Sequence, residues 1–238
     1  MLALLFACRV DGHFQKPDGG SDSGGMRVDV SRFGAAGSDI GRALAIAPNG
    51  DLITTGSFQG MLSLGGSDLI ASGTSADIWV ARFRSDGTHM WSARFGGGGY
   101  DSPASVDVDS SGDVYVGGTF EGPVDFGGGA RPAANGAFVV KLEGNSGSYV
   151  WDRVFGSTPI DTVKSIAIDT NTIFIAGEFF GAADLGSGVI TSIPSNSTNG
   201  YVAAYAISGM PRWAKPLSSD QSLIAHSGDA SSSYLQDA

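Results

Sequence analysis

A chain that returns to one pattern about every sixty residues can fold only as an array of like units, and this chain does so three times. The clearest copy is VDVDSSGDVYVGGTFEGPVDFGG at residues 106–128, matched by LAIAPNGDLITTGSFQGMLSLGG at 44–66 and IAIDTNTIFIAGEFFGAADLGSG at 166–188. Two markers give the period. An Asp opens each unit (Asp39, Asp101, Asp161, with Asp220 as a further match), and a Trp closes it (Trp91, Trp151, Trp213). The units run over about residues 39–100, 101–160 and 161–219, with a partial one at 220–229.

Each unit holds four runs of strand length, rich in β-branched and aromatic residues and bounded by Gly, Asn, Ser and Asp. In the second unit these are ASVDVD, VYVGGTF, AFVVKLE and YVWDRVF; no helical period is sustained across 28–226. Two tight hairpins joined by a longer loop make a four-stranded antiparallel meander. One such sheet cannot bury both faces, so like sheets must stack. The sets Leu44/Val106/Ile166 and Ile46/Val108/Ile168 supply an apolar face, and Ala45 and Ala167 supply small residues for close approach. The expectation is an all-β chain, a β-propeller-like array of four-stranded antiparallel blades. It has about three complete blades plus partial terminal strands. Residues 28–34 match the fourth strand of a blade and 222–229 a first strand with its turn, while 230–238 are a polar, disordered tail. Either the two ends share a depleted fourth blade, or the frame is a piece of a longer propeller. An incomplete ring exposes an apolar blade face, so self-association through that face is expected.

The Asp opener, the Gly-Asp-x-Tyr-Val-x-Gly strand pair and the exits Gly56–Gly60, Gly118–Gly122 and Gly177–Gly181 resemble the SBBP family of bacterial β-propeller repeats. Residues 171–172 depart from it, with Asn-Thr in place of Gly-Asp. The resemblance covers about 28–229 and implies an exported or surface protein without an assigned catalytic site.

Composition limits the partners. The net charge is −10 with only 16% charged residues and no basic cluster, which disfavours nucleic acid. Cys8 is the single cysteine, so no internal disulfide forms. Residues 1–8, ending Leu5-Phe6-Ala7-Cys8, resemble a signal segment with a bacterial lipobox, which implies lipidation of Cys8 and a membrane partner through that anchor. The Gly/Ser/Asp-rich stretch 9–27 reads as a flexible tether. Arg9, rather than Asp, after the cysteine leans the resemblance towards the outer membrane. The other reading is a fortuitous apolar start with a free thiol.

Candidate chemistry is sparse. Asp107, Asp109 and Asp113 resemble the opening of a calcium loop, but the equivalent positions elsewhere do not repeat the carboxylates, and Asx-type hairpin turns explain them as well. The Asp openers either bind a ligand or tie the blade-to-blade connection. The closing Trp residues either stack on sugars or pack against the third strand. His13, His89 and His226 have no metal-ligand spacing, and the glycines at 96–99 lack the Lys-Ser/Thr of a phosphate loop. No cofactor is implied. The leading function is a non-enzymatic, lipid-anchored scaffold that binds an unknown protein or glycan. Its binding surface would be the 2–3 loops at 61–76, 123–136 and 182–200, which differ while the strands around them stay alike. The alternatives are a polysaccharide hydrolase or lyase using Asp39, Asp101 and Asp161 at the propeller mouth, and a structural spacer or gene remnant.

Overall fold

The computed structural model describes residues 2–6, 29–33, 37–131, 135–156, 158 and 160–217, and among them there is no helix. Strands β1 (Leu2–Phe6) and β2 (Asp29–Phe33) pair antiparallel as a sheet of their own. The stretch expected as a lone outer strand therefore pairs with the N-terminal segment rather than with a blade edge. Cys8, His13, Asp220 and residues 222–238 lie outside the described residues.

Blade one is the meander β3 (Asp39–Ile46), β4 (Leu52–Phe58), β7 (Asp77–Phe83) and β8 (His89–Gly97), with the hairpin β5 (Met61–Leu62) and β6 (Leu69–Ile70) between its middle strands. Blade two is β9 (Ser102–Val108), β10 (Val114–Glu121), β12 (Asn135–Leu142) and β13 (Tyr149–Phe155). Its short β11 (Val124–Asp125) pairs with β8, adding a fifth strand to the outer edge of blade one. Blade three is β14 (Thr162–Asp169), β15 (Thr172–Phe180), β18 (Thr198–Ala206) and β19 (Pro211–Pro216), with the hairpin β16 (Ala182–Asp184) and β17 (Val189–Thr191). All pairings are antiparallel, and β3, β9 and β14 lie side by side as the innermost strands. The array is open among the described residues, as an incomplete propeller is.

The turns explain why these runs hairpin where they do. Residues 47–51 and 109–113 close on Gly50 and Gly112, both at positive φ, where a side chain is strained. Blade three lacks that glycine because Asp169 pairs directly with Thr172, leaving a two-residue turn with no left-handed position. The departure at 171–172 is thus a shorter turn, not a damaged one.

Strand alternation gives the middle blade two buried faces. On β10, Val114, Val116 and Phe120 face blade one, and Tyr115 faces blade three. Two cores result. The first joins Ile53, Ile78, Val80, Trp91 and Phe95 of blade one to Val106, Val114, Val116, Phe120 and Phe138 of blade two. The second joins Tyr115, Val139 and Phe155 of blade two to Ile166, Ile173, Ile175, Tyr201 and Tyr205 of blade three. The expected apolar set performs as predicted where a neighbour exists: Val106 is 5% exposed and Ile166 1%, whereas Leu44, with no described blade before it, is 67% exposed.

Candidate functional site

The Asp openers are buried, and their bonds show their work. Asp101 accepts the N–H of Gly97 at 2.9 Å and of Glu121 at 3.3 Å. Asp161 accepts those of Thr158 at 2.8 Å and Phe180 at 2.9 Å. In both blades one carboxylate ties the connection entering the blade to the end of its second strand. The oxygens that a hydrolytic pair would use are engaged in their own turns. Burial pushes the Asp101 carboxyl up to about 7 against the two N–H bonds that lower it, with the Asp77 charge adding to the rise. Asp77, wholly buried, accepts the N–H of Ser72 at 2.8 Å and pairs with Arg94, fastening the 2–3 loop of blade one to its sheet.

The three calcium-like aspartates do not face a common centre. Asp109 accepts the N–H of Ser111 at 2.9 Å and of Asp113 at 3.0 Å, and the hydroxyl of Tyr115 at 2.9 Å. The Lys141 ammonium stands 3.5 Å from Asp109 and 2.8 Å from Asp113, so the positive charge these carboxylates meet belongs to the chain itself. Asp107 points the other way. It accepts the N–H of Ile168 on blade three at 2.8 Å, and Ser105 accepts that of Ile166 at 3.0 Å. Its carboxyl is raised by burial. Among the described residues no group of three or more His, Cys, Asp or Glu is placed to hold a metal ion. His89 packs on Phe83 and Gly66, and burial lowers its pKa.

Two of the three closing Trp residues pack across a joint rather than on their own third strand, while Trp213, 40% exposed, meets Phe174 of its own blade. The Trp91 indole N–H donates to the Gly144 carbonyl of blade two at 2.8 Å, and its ring lies on Gly147. The Trp151 indole N–H donates to the Ile207 carbonyl of blade three at 3.2 Å, and its ring lies on Gly209. Each of these two docks on the turn between the third and fourth strands of the next blade. The repeat marker read from the sequence is thus the residue that joins units.

The 2–3 loops are only half the surface they promised to be. Each starts by folding back along its own blade as an apolar wedge: Leu62 and Leu64, Val124 and Phe126, Ala183 and Leu185 are all buried. Phe126 meets Phe95 of the preceding blade and Phe138 of its own, and Tyr205 donates its hydroxyl to the Leu185 carbonyl at 2.7 Å. The following glycines pass over the first residue of the fourth strand: Gly66 against His89, Gly128 against Tyr149, Gly186 against Pro211. The signal was present in the repeated Leu/Phe-Gly exit, but spacing alone does not say that the exit packs inward. The remaining exposed parts differ among blades and carry Ile70 and Met61, a cross-strand pair, in blade one and Val189 and Ile193 in blade three. In blade two, Arg131 pairs with Asp152 at 2.7 Å. A groove of about 230 Å³ lies between blades two and three, lined by Arg153, Phe155, Asp184, Leu185 and Tyr205. That is below the few hundred Å³ that pockets for drug-sized ligands enclose.

These features define a β-propeller-repeat protein whose exposed loops stand on buried wedges. Residues 91–119 match the beta-propeller repeat of the SBBP family, so the chain carries that family's repeat. The match starts at Trp91 on β8 and ends on β10, so it spans the joint between blades rather than one blade. The chain is also similar to the regulatory protein FlaEY of Caulobacter vibrioides, at 26% identity over 178 residues, covering 71% of this chain and 19% of that protein.

Proposed function

We propose that this chain is a non-enzymatic binding scaffold of the cell envelope that captures a protein or glycan on the outer parts of its 2–3 loops. The observation that carries the reading is the contrast within each loop. The wedge half is buried and alike between blades, whereas the outer half is exposed, differs, and presents Ile70, Val189 and Ile193, each more than half exposed. Apolar side chains held in water on fixed supports are what a recognition surface requires, because little ordering remains to be done on binding. The similarity to a regulatory protein fits a role exercised by binding.

The same reading places the protein outside the cytoplasm, held by lipid on Cys8 and the tether 9–27, at the outer membrane. Fatty-acid labelling of the chain and of Cys8→Ser tests the anchor: label should vanish in the variant, and equal label in both refutes it. For the surface, a photo-crosslinking residue at position 70 or 193 in cells should give a discrete adduct. The Ile70→Ser and Ile193→Ser variants, probed from neighbouring loop positions, should lose it. An adduct indifferent to both changes, or turnover of a polysaccharide by the purified chain, overturns the reading.

A further inference from the structure

The two closed joints differ at their rim. At the first, the exit of blade two lends a strand to blade one: Val124 and Asp125 of β11 pair with Gly97 and Gly96 of β8. Phe126 follows into the joint, where its ring meets Phe95 at 6.1 Å, Phe120 at 6.4 Å and Phe138 at 4.7 Å between centroids. At the second joint the matching exit is Ala183-Asp184-Leu185. It pairs with β17 of its own hairpin instead, through Ala183 with Ile190 and Asp184 with Val189. Among the described residues no strand lies on the outer edge of β13. Ala183 and Leu185 are also smaller than Val124 and Phe126. What the first joint fills is left at the second as the groove of about 230 Å³ between Arg153, Phe155, Asp184, Leu185 and Tyr205. The Phe155 and Tyr205 rings, inclined by 17° and 6.4 Å apart, bound it, and the exposed Arg153 and Asp184 stand at its mouth.

We infer that this groove takes an extended segment of a protein partner, laid along the free edge of β13 with one bulky apolar side chain seated among Phe155, Leu185 and Tyr205. The first joint names the occupant. There the same place holds an extended run of this chain with Phe126 as its anchor, so the groove continues an interface the fold already makes. An unpaired strand edge offers backbone donors and acceptors to such a segment, and a side-chain seat beside it supplies the choice of sequence. The volume suits one side chain rather than a drug-sized ligand. A glycan is a poorer occupant. It would set hydroxyls against Phe155, Leu185 and Tyr205, and the Tyr205 hydroxyl is already spent on the Leu185 carbonyl at 2.7 Å. Neither Ile70 nor Ile193 lines the groove, so it is a second contact and does not rest on the loop-tip reading.

A capped fluorescent peptide copying residues 121–128 is the probe, because it carries the strand and the anchor that fill the first joint. Its anisotropy is followed against the full chain carrying Cys8→Ser, at about 0.15 M salt to screen repulsion between two acidic molecules. Saturable binding with a Kd below about 1 mM is expected. Replacing the peptide's phenylalanine with serine should weaken it at least about tenfold, as loss of a buried aromatic anchor does. Leu185→Phe, which restores the wedge of the first joint, should do the same, with circular dichroism confirming that the variant is folded. A photoreactive group on the peptide's phenyl ring should label residues 153–155 or 184–186 of the parent chain, a readout that needs no variant. Absence of saturable binding, binding indifferent to either change, or label confined to another face each overturns the inference. The loop reading above does not depend on the outcome, since it is decided at Ile70 and Ile193.

Discussion

The two closed joints of this array share an apolar plan and differ in what carries the polar crossing. Between blades one and two it is a buried guanidinium. Arg82 donates to Asp51 of its own blade at 3.0 Å, and to the Gly112 and Gly144 carbonyls of blade two at 3.3 and 2.9 Å. Lys141 holds the same position in blade two, opposite Trp151 as Arg82 is opposite Trp91, and it does not cross. Its ammonium stays with Asp109 and Asp113. The crossing to blade three falls instead to Ser105 and Asp107 on the inner strand and to Arg153, which donates to the Gly209 carbonyl at 3.0 Å. A planar fork of five donors spans separated acceptors at fixed angles, whereas an ammonium gathers its three donors at one point on a flexible stem. The comparison teaches that the joint needs its buried donors and acceptors satisfied, and that which strand satisfies them is free to vary.

Breaking the first joint at its guanidinium should have the largest effect. Arg82→Ala strands the buried Asp51 carboxylate and two carbonyls, and should cost about 4 kcal/mol of unfolding free energy in urea titration. Arg82→Lys should recover little of it, and a full recovery would show that only the charge matters.

The three closing Trp residues sharpen the contrast between covered and open faces. Trp91→Ala, which empties a buried site, should cost about 3 kcal/mol. Trp213→Ala, at a site 40% exposed, should cost no more than about 1 kcal/mol. Equal losses at both positions would contradict the described environment of Trp213.

At the second joint, Asp107→Ala removes the acceptor for the Ile168 N–H and should cost about 1–2 kcal/mol. The equivalent residue of the first joint is Ala45, so Ala45→Asp, which buries a carboxyl without that partner, should destabilise rather than add a crossing. A stabilised Ala45→Asp would refute the difference drawn between the joints.

One further effect depends on pH. Asp101 has a folded pKa of about 7 against an ordinary value of 3.8. Between those values the folded chain holds a proton that the unfolded chain has released. Its contribution is therefore present below the unfolded pKa and is lost as pH rises through the folded one. The stability of the chain relative to Asp101→Asn should fall from pH 4 to pH 8. A flat difference would show that the carboxyl titrates normally.

Much of the fold was legible because its causes are local. Val106 and Val108 alternate with Ser105 and Asp107 within one strand, and the glycine turns sit a few residues from the strands they close. The candidate surface was legible only in part. The loops at 61–76, 123–136 and 182–200 could be found by their differences, but that Phe126 and Leu185 fold back into the space between two blades, and Leu64 onto its own sheet, depends on tertiary packing. Lys141 and Arg82 are both cations at one repeat position, and nothing in their near neighbours says that one crosses a joint and the other does not.

The sequence by itself determined the repeat, the four strands of each blade, the turns between them and the residues that face inward, because strand period and backbone stereochemistry act over a few residues. Tertiary structure alone decided what each marker meets. The Trp that ends one unit docks on a turn more than fifty residues on, and the Asp that looked like a cation ligand bonds the N–H of a residue 61 positions away. Partners at that separation are chosen by packing between blades, which no local pattern encodes.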